Sequence, residues 1–134
     1  MLDVLLTALS LPILAMTSNA CVDPAITAAV AHQLGNNGDL TTYDVAITVK
    51  NVGSAAEPSS LLQSVQVFQD ATKVDQKGTP PLAAGGSATV HYRFQRSSEG
   101  RPGSTHLRFS LVLHDPHGPV TDCSTANNTY RINV

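Results

Sequence analysis

Tryptophan is absent from the 134 residues, and Phe, Tyr and Trp together make up only 4%. Aromatic cages for cationic ligands and stacking platforms for bases both need such rings, so neither class is expected. Charge is scarce too: Asp, Glu, Lys and Arg form 13% of the chain, about half the usual globular share, with a net charge of −2. A basic nucleic-acid module and an acidic disordered tail are both excluded by that balance. Cysteine is limited to Cys21 and Cys123, with no Cys-x-x-Cys pair and hence no zinc signature. No Gly-x-Ser-x-Gly elbow and no Cys-His nucleophile pattern is present, so a noncatalytic chain without a cofactor is expected. What remains is 42% hydrophobic residues, enough for one folded core.

Val4 to Ala15 is apolar except for Thr7, Ser10 and Pro12, and leads into Thr17-Ser18-Asn19-Ala20 before Cys21. The run is about a dozen residues, short of the roughly twenty that span a bilayer. With small residues three and one places before Cys21, it reads as a signal peptide over residues 1–20 preceding a mature domain at 21–134. Met1-Leu2-Asp3 lacks the usual basic start. The alternative is an apolar first element packed on the domain.

Beyond Ala25 the pattern has period two. Tyr43, Val45, Ile47 and Val49 alternate with polar or small residues, then Asn51-Val52-Gly53 turns the chain, Asn and Gly both accepting positive φ. Val65 and Val67, then Val90, Tyr92 and Phe94, then Leu107, Phe109, Leu111 and Leu113 form similar runs, the last ended by Asp115-Pro116-His117-Gly118. Strands near Ile26–Leu34, Lys73–Gln76 and Tyr130–Val134 bring the number to seven. The class predicted is all-β, a seven-stranded immunoglobulin-like sandwich. Tyr92-Arg93-Phe94-Gln95-Arg96 superficially resembles a nucleic-acid strip, but on a strand its rings face the core and Arg93 faces solvent.

Cys21 precedes the first strand and Cys123 follows the sixth. In an antiparallel sandwich an even number of strands returns the chain to its starting end, which predicts a Cys21–Cys123 disulfide in an oxidising compartment. A crossover between the fourth and fifth strands could place the cysteines on different sheets, too far apart to join. Two other readings stand beside it: an envelope lipoprotein anchored at Cys21, for which Ser18 and Asn19 fit poorly, and two separate buried thiols.

The succession Val49-Lys50-Asn51-Val52-Gly53-Ser54, Val74-Asp75, Leu82-Ala83-Ala84-Gly85-Gly86-Ser87, His114-Asp115-Pro116 and Asp122 through Asn127-Asn128-Thr129 resembles the CARDB domain (cell-adhesion-related domain found in bacteria) from Asp23 to Val134. The resemblance implies an extracytoplasmic immunoglobulin-like module that binds a protein or glycan partner, with no catalytic residues to carry over. It also implies a secreted, periplasmic or envelope location. The family usually places Glu before the Asn-Asn pair, where this chain has Asp122-Cys123-Ser124-Thr125-Ala126.

Among side chains that could carry chemistry, His114 and His117 are the tightest histidine pair, and with Asp115 and Asp122 they are the candidate metal ligands. Asp115, Asp122 and the amide oxygens of Asn127 and Asn128 could alternatively suit calcium. The plainer reading makes Asn127 and Asn128 structural turn residues whose side chains bond the backbone.

Overall fold

The computed structural model describes residues 20–97 and 104–134. The signal-peptide reading falls on residues 1–20, all but the last of which lie outside that range. Seven strands follow in order: β1 (Pro24–Asn37), β2 (Leu40–Asn51), β3 (Leu62–Gln69), β4 (Thr72–Thr79), β5 (Ser87–Ser97), β6 (His106–His114) and β7 (Thr129–Asn133). They form an antiparallel three-stranded sheet, β1-β2-β5, facing a four-stranded one, β4-β3-β6-β7. This is the expected immunoglobulin-like sandwich.

Alternation builds the core. Val45, Ile47 and Val49 of β2 face Val65 and Val67 of β3 and Leu107 and Phe109 of β6, all at most 1% exposed. Tyr92, Phe94 and Leu111 close the same cluster, while Val90 is only half-buried because β5 is an edge strand of its sheet. Tyr43, Phe94 and Tyr92 stack in sequence, with centroids 5.3 and 5.9 Å apart.

The chain crosses between sheets after β2, after β4 and after β5, so the anticipated crossover does occur. Its consequence is the reverse of a separation: the cysteines lie on segments attached to different sheets, yet meet at one pole of the sandwich. Cys21 and Cys123 are joined, with their Cα atoms 5.7 Å apart. Beside them Val22 forms a parallel bridge to Asp122, and the Cys123 N–H donates to the Val22 carbonyl at 2.9 Å. At the other pole the Arg96 guanidinium lies over the Tyr43 ring, 4.9 Å from its centroid, and donates to Thr105 Oγ1 and to the Val134 carbonyl. One covalent bond and one cation thus close the two ends of the sandwich.

Candidate functional site

The residues of the family-like motifs, Val74-Asp75 of β4 apart, converge on the disulfide pole. Asn51, the last residue of β2, is fully buried. Its Oδ1 accepts the N–H groups of Asp23 and Gly53, each at 3.0 Å, and its Nδ2 donates to the carbonyls of Ala55 at 2.8 Å and Leu82 at 3.4 Å. Its backbone pairs with Gly85 and Gly86. One amide therefore ties the entry to β1, the β2–β3 connection and the segment before β5.

This corrects the reading of Asn51 and Gly53 as positive-φ turn residues, since neither has a positive φ. Gly53 is required by proximity: a Cβ there would lie 2.3 Å from the Cys21 carbonyl oxygen and 2.7 Å from the Asp23 nitrogen. The left-handed glycine of this pole is Gly85, at φ 77°, whose N–H reaches the Asn51 carbonyl.

Asn127 and Asn128 lie in the β6–β7 turn as expected, but their side chains bond differently. Asn127 Nδ2 donates to the Asp23 carboxylate at 2.9 Å, and Asn128 Nδ2 to the Asp122 carboxylate at 2.8 Å. It is their backbone carbonyls that serve the sheets, accepting from Ile26 and Leu111. The pair therefore docks the turn onto both layers.

Glu57, which no sequence pattern singled out, is only 6% exposed. Its Oε1 accepts the Leu82 N–H at 2.8 Å, while Oε2 is buried without a hydrogen-bond partner. Burial raises its pKa above the ordinary carboxylate value, and the charge of Asp122 adds to the effect. A carboxyl whose folded pKa is raised binds more protons folded than unfolded, so its burial penalises stability increasingly as pH climbs through that range. Glu57→Gln, which keeps the acceptor for Leu82, is expected to stabilise the domain at pH 7 and to change little at pH 3. Urea midpoints at the two values measure this; equal midpoints at pH 7 would count against it.

The two acidic metal candidates, Asp115 and Asp122, line one hollow but are already engaged. Asp115 Oδ1 accepts Ser60 Oγ at 2.8 Å and the His117 N–H at 2.9 Å, and those bonds, the His117 one foremost, lower its pKa. The Asp122 carboxylate accepts the Ser124 N–H at 3.1 Å in addition to Asn128. Among the described residues, no three His, Cys, Asp or Glu side chains, His114 and His117 included, form a group able to hold a metal ion. An open hollow of about 640 Å³ lies against the disulfide, between Val22, Ala55, Pro119 and Val120, with Asp115 and Asp122 in its wall.

The outer faces differ in character. On the three-stranded sheet Asp44 lies shielded between His91 Nδ1 at 2.8 Å and Arg93 Nε at 3.3 Å, with His32 opposite it on β1. The hydrogen bond from His91 is the main cause of its lowered pKa. Its contribution to stability is therefore present above the unfolded carboxylate range and lost as pH falls through the folded value. Acid-induced loss of stability should shrink in Asp44→Asn, measured as the difference in urea midpoint between pH 5 and pH 3; an unchanged difference would place the acid sensitivity elsewhere.

Comparison with known proteins settles the classification. The CARDB family model matches residues 23–132. This chain belongs to the CARDB family. CARDB domains are associated with cell surfaces and are in general noncatalytic. Two solved structures share the CARDB sandwich seen here. The CARDB domain of a Pyrococcus furiosus protein, solved in complex with di-metal ions, has a TM-score of 0.60 and 17% identity, covering 88% of this chain and 96% of its own. A domain from a Methanosarcina acetivorans protein, provisionally named a cell surface protein, has a TM-score of 0.56 and 19% identity, covering 85% and 90%. None of the curated proteins compared matches the chain. Among the described residues, no helix is long and apolar enough to cross a membrane.

Proposed function

We propose that this CARDB domain is an exported, noncatalytic interaction module that holds a protein or glycan partner at the cell envelope or outside the cell. The observation that carries the reading is the Cys21–Cys123 bond, which links residues 102 apart and is of a kind typical of oxidising compartments. Family membership supports the surface location. The bond also engages the sulfur that a lipid anchor at Cys21 would need, so the lipoprotein alternative finds less support.

Two measurements test the proposal. Mass spectrometry of the protein from its native host should find an N-terminus at or within a few residues of Cys21 and no free thiol; an intact Met1 with two free thiols would overturn export. The labelled mature domain should bind envelope material saturably, with loss after protease or glycosidase treatment assigning the partner class. Absence of saturable binding would overturn the interaction role. Submicromolar zinc binding lost in His114→Ala, His117→Ala would favour the metal alternative instead.

A further inference from the structure

The outer face of the four-stranded sheet carries an arrangement that stability does not explain. Strand register places Lys73 of β4 opposite Phe68 of β3, Phe68 opposite Arg108 of β6, and Arg108 opposite Arg131 of β7. These four residues form one row across all four strands. Arg108 and Arg131 are a cross-strand pair of like charge, an arrangement that ordinarily destabilises a sheet. Among the described residues no ion pair relieves it: the one acid in the four strands, Asp75, pairs with Lys77 at 3.3 Å and has its charge felt by the core residue Tyr92, and Asp70 of the β3–β4 turn lies beside the two arginines without forming a salt bridge to either.

The Arg108 guanidinium lies over the Phe68 ring, its carbon 4.0 Å from the centroid, a contact that holds the cation close to the sheet. Lys73 Nζ is steadied by Gln76 Oε1 at 2.6 Å. Between Arg108, Arg131 and His106 the surface dips into a hollow of about 260 Å³, with Asp70 of the β3–β4 turn at its edge. Neighbouring strands are about 4.8 Å apart, so the row presents three cations, two of them held in place, over roughly 15 Å, on a protein whose net charge is −2.

We infer that this row binds an anionic glycan, an extended polysaccharide carrying carboxylate or sulfate groups, laid across the strands. The inference rests on the interaction-module reading above and names the chemistry of its partner. Guanidinium groups pair with such anions through two parallel hydrogen bonds, and an anion between Arg108 and Arg131 removes their mutual repulsion. A glycan fits better than a nucleic acid. The one aromatic ring in the row, Phe68, already has Arg108 stacked over it, so a base would have to displace the cation from that face. The disulfide also places the domain where envelope polysaccharides are found.

The test uses the mature, disulfide-bonded domain with dextran sulfate, polygalacturonate, neutral dextran and a single-stranded oligonucleotide as probes. Both charged polysaccharides should bind, more weakly as salt rises, and neutral dextran should not. Arg131→Gln should weaken binding by about tenfold, and Arg108→Gln, Arg131→Gln further, while Lys77→Gln, whose charge is paired with Asp75, leaves it unchanged. Arg131→Gln alone should match or exceed the wild-type melting temperature, so that loss of binding is not loss of fold. The inference is overturned if neither charged polysaccharide binds, if Lys77→Gln weakens binding as much as Arg131→Gln, or if the oligonucleotide binds more tightly than both. Saturable envelope binding that survives in the double arginine variant would sink the row while leaving the interaction module standing.

Discussion

Removing the Cys21–Cys123 bond, in a Cys21→Ala, Cys123→Ala variant, is expected to lower the unfolding free energy by about 2–5 kcal/mol. The closed loop is long, with the cysteines 102 residues apart, so the chain-entropy model approaches its upper figure of about 4.7 kcal/mol. Geometry adds to the expectation, because the bond holds the Val22–Asp122 bridge and therefore the entry to β1 against the β6–β7 turn. Beyond its pairing with β2, much of β1 buries little: after Ile26 its residues are Ala-rich and half-buried or exposed. Urea unfolding of the variant, and of the reduced wild type, should agree. A midpoint within error of the oxidised wild type would show that the two sheets are held together without the bond.

The second large effect belongs to Asn51. Replacing it with Ala strands two backbone donors, of Asp23 and Gly53, and the Ala55 carbonyl, and takes a second donor from the Leu82 carbonyl, which keeps the Glu57 N–H, at a site with no exposure. An unmet buried polar group costs about 1–3 kcal/mol, and water can recover part of the sum, so a loss of roughly 3–5 kcal/mol is expected. Asn51→Asp should be no milder, because it keeps the acceptor but turns the donor into a second oxygen facing the carbonyls of Ala55 and Leu82. The neighbouring Val52→Ala, at a position 48% exposed, should shift the midpoint little. Comparable losses at 51 and 52 would mean that the loop, rather than the amide, carries the stability.

β2, β3, β5 and β6 were legible because each has a face buried against the other sheet, which writes alternation directly into the residues, whereas β1, β4 and β7 bury little and were placed by the turn residues around them. The strand limits were less legible. β1 continues to Asn37 and β4 to Thr79, through Gly, Asn and Lys residues that pair with a neighbour without burying a side chain. The disulfide was accessible from strand parity alone. The roles of Asn51 and Gly53 were not, since a buried amide bonding four backbone groups and a glycine pressed on Cys21 look the same in one dimension as an ordinary turn. Glu57 was missed because a single acid between Ala56 and Pro58 has no periodicity to betray its burial. The row of Lys73, Phe68, Arg108 and Arg131 is written nowhere in sequence order: it exists through register between strands far apart along the chain.

The disulfide also determines how the domain answers a mechanical pull. Tension applied at residue 20 and at Val134 enters at Cys21, passes through the sulfur atoms to Cys123, and bypasses β1 to β6 altogether. Only Ser124–Val134 can lengthen, to about 40 Å at full extension, whereas the same chain without the bond would pay out roughly 400 Å. The load falls along β7, whose five registered pairs with β6 are strained together in shear, with Arg96 gripping the Val134 carbonyl at the far end. A surface domain tethered in this way yields by one short step and keeps its core, and the row on its four-stranded face retains three of its four members, Lys73, Phe68 and Arg108, when β7 gives way.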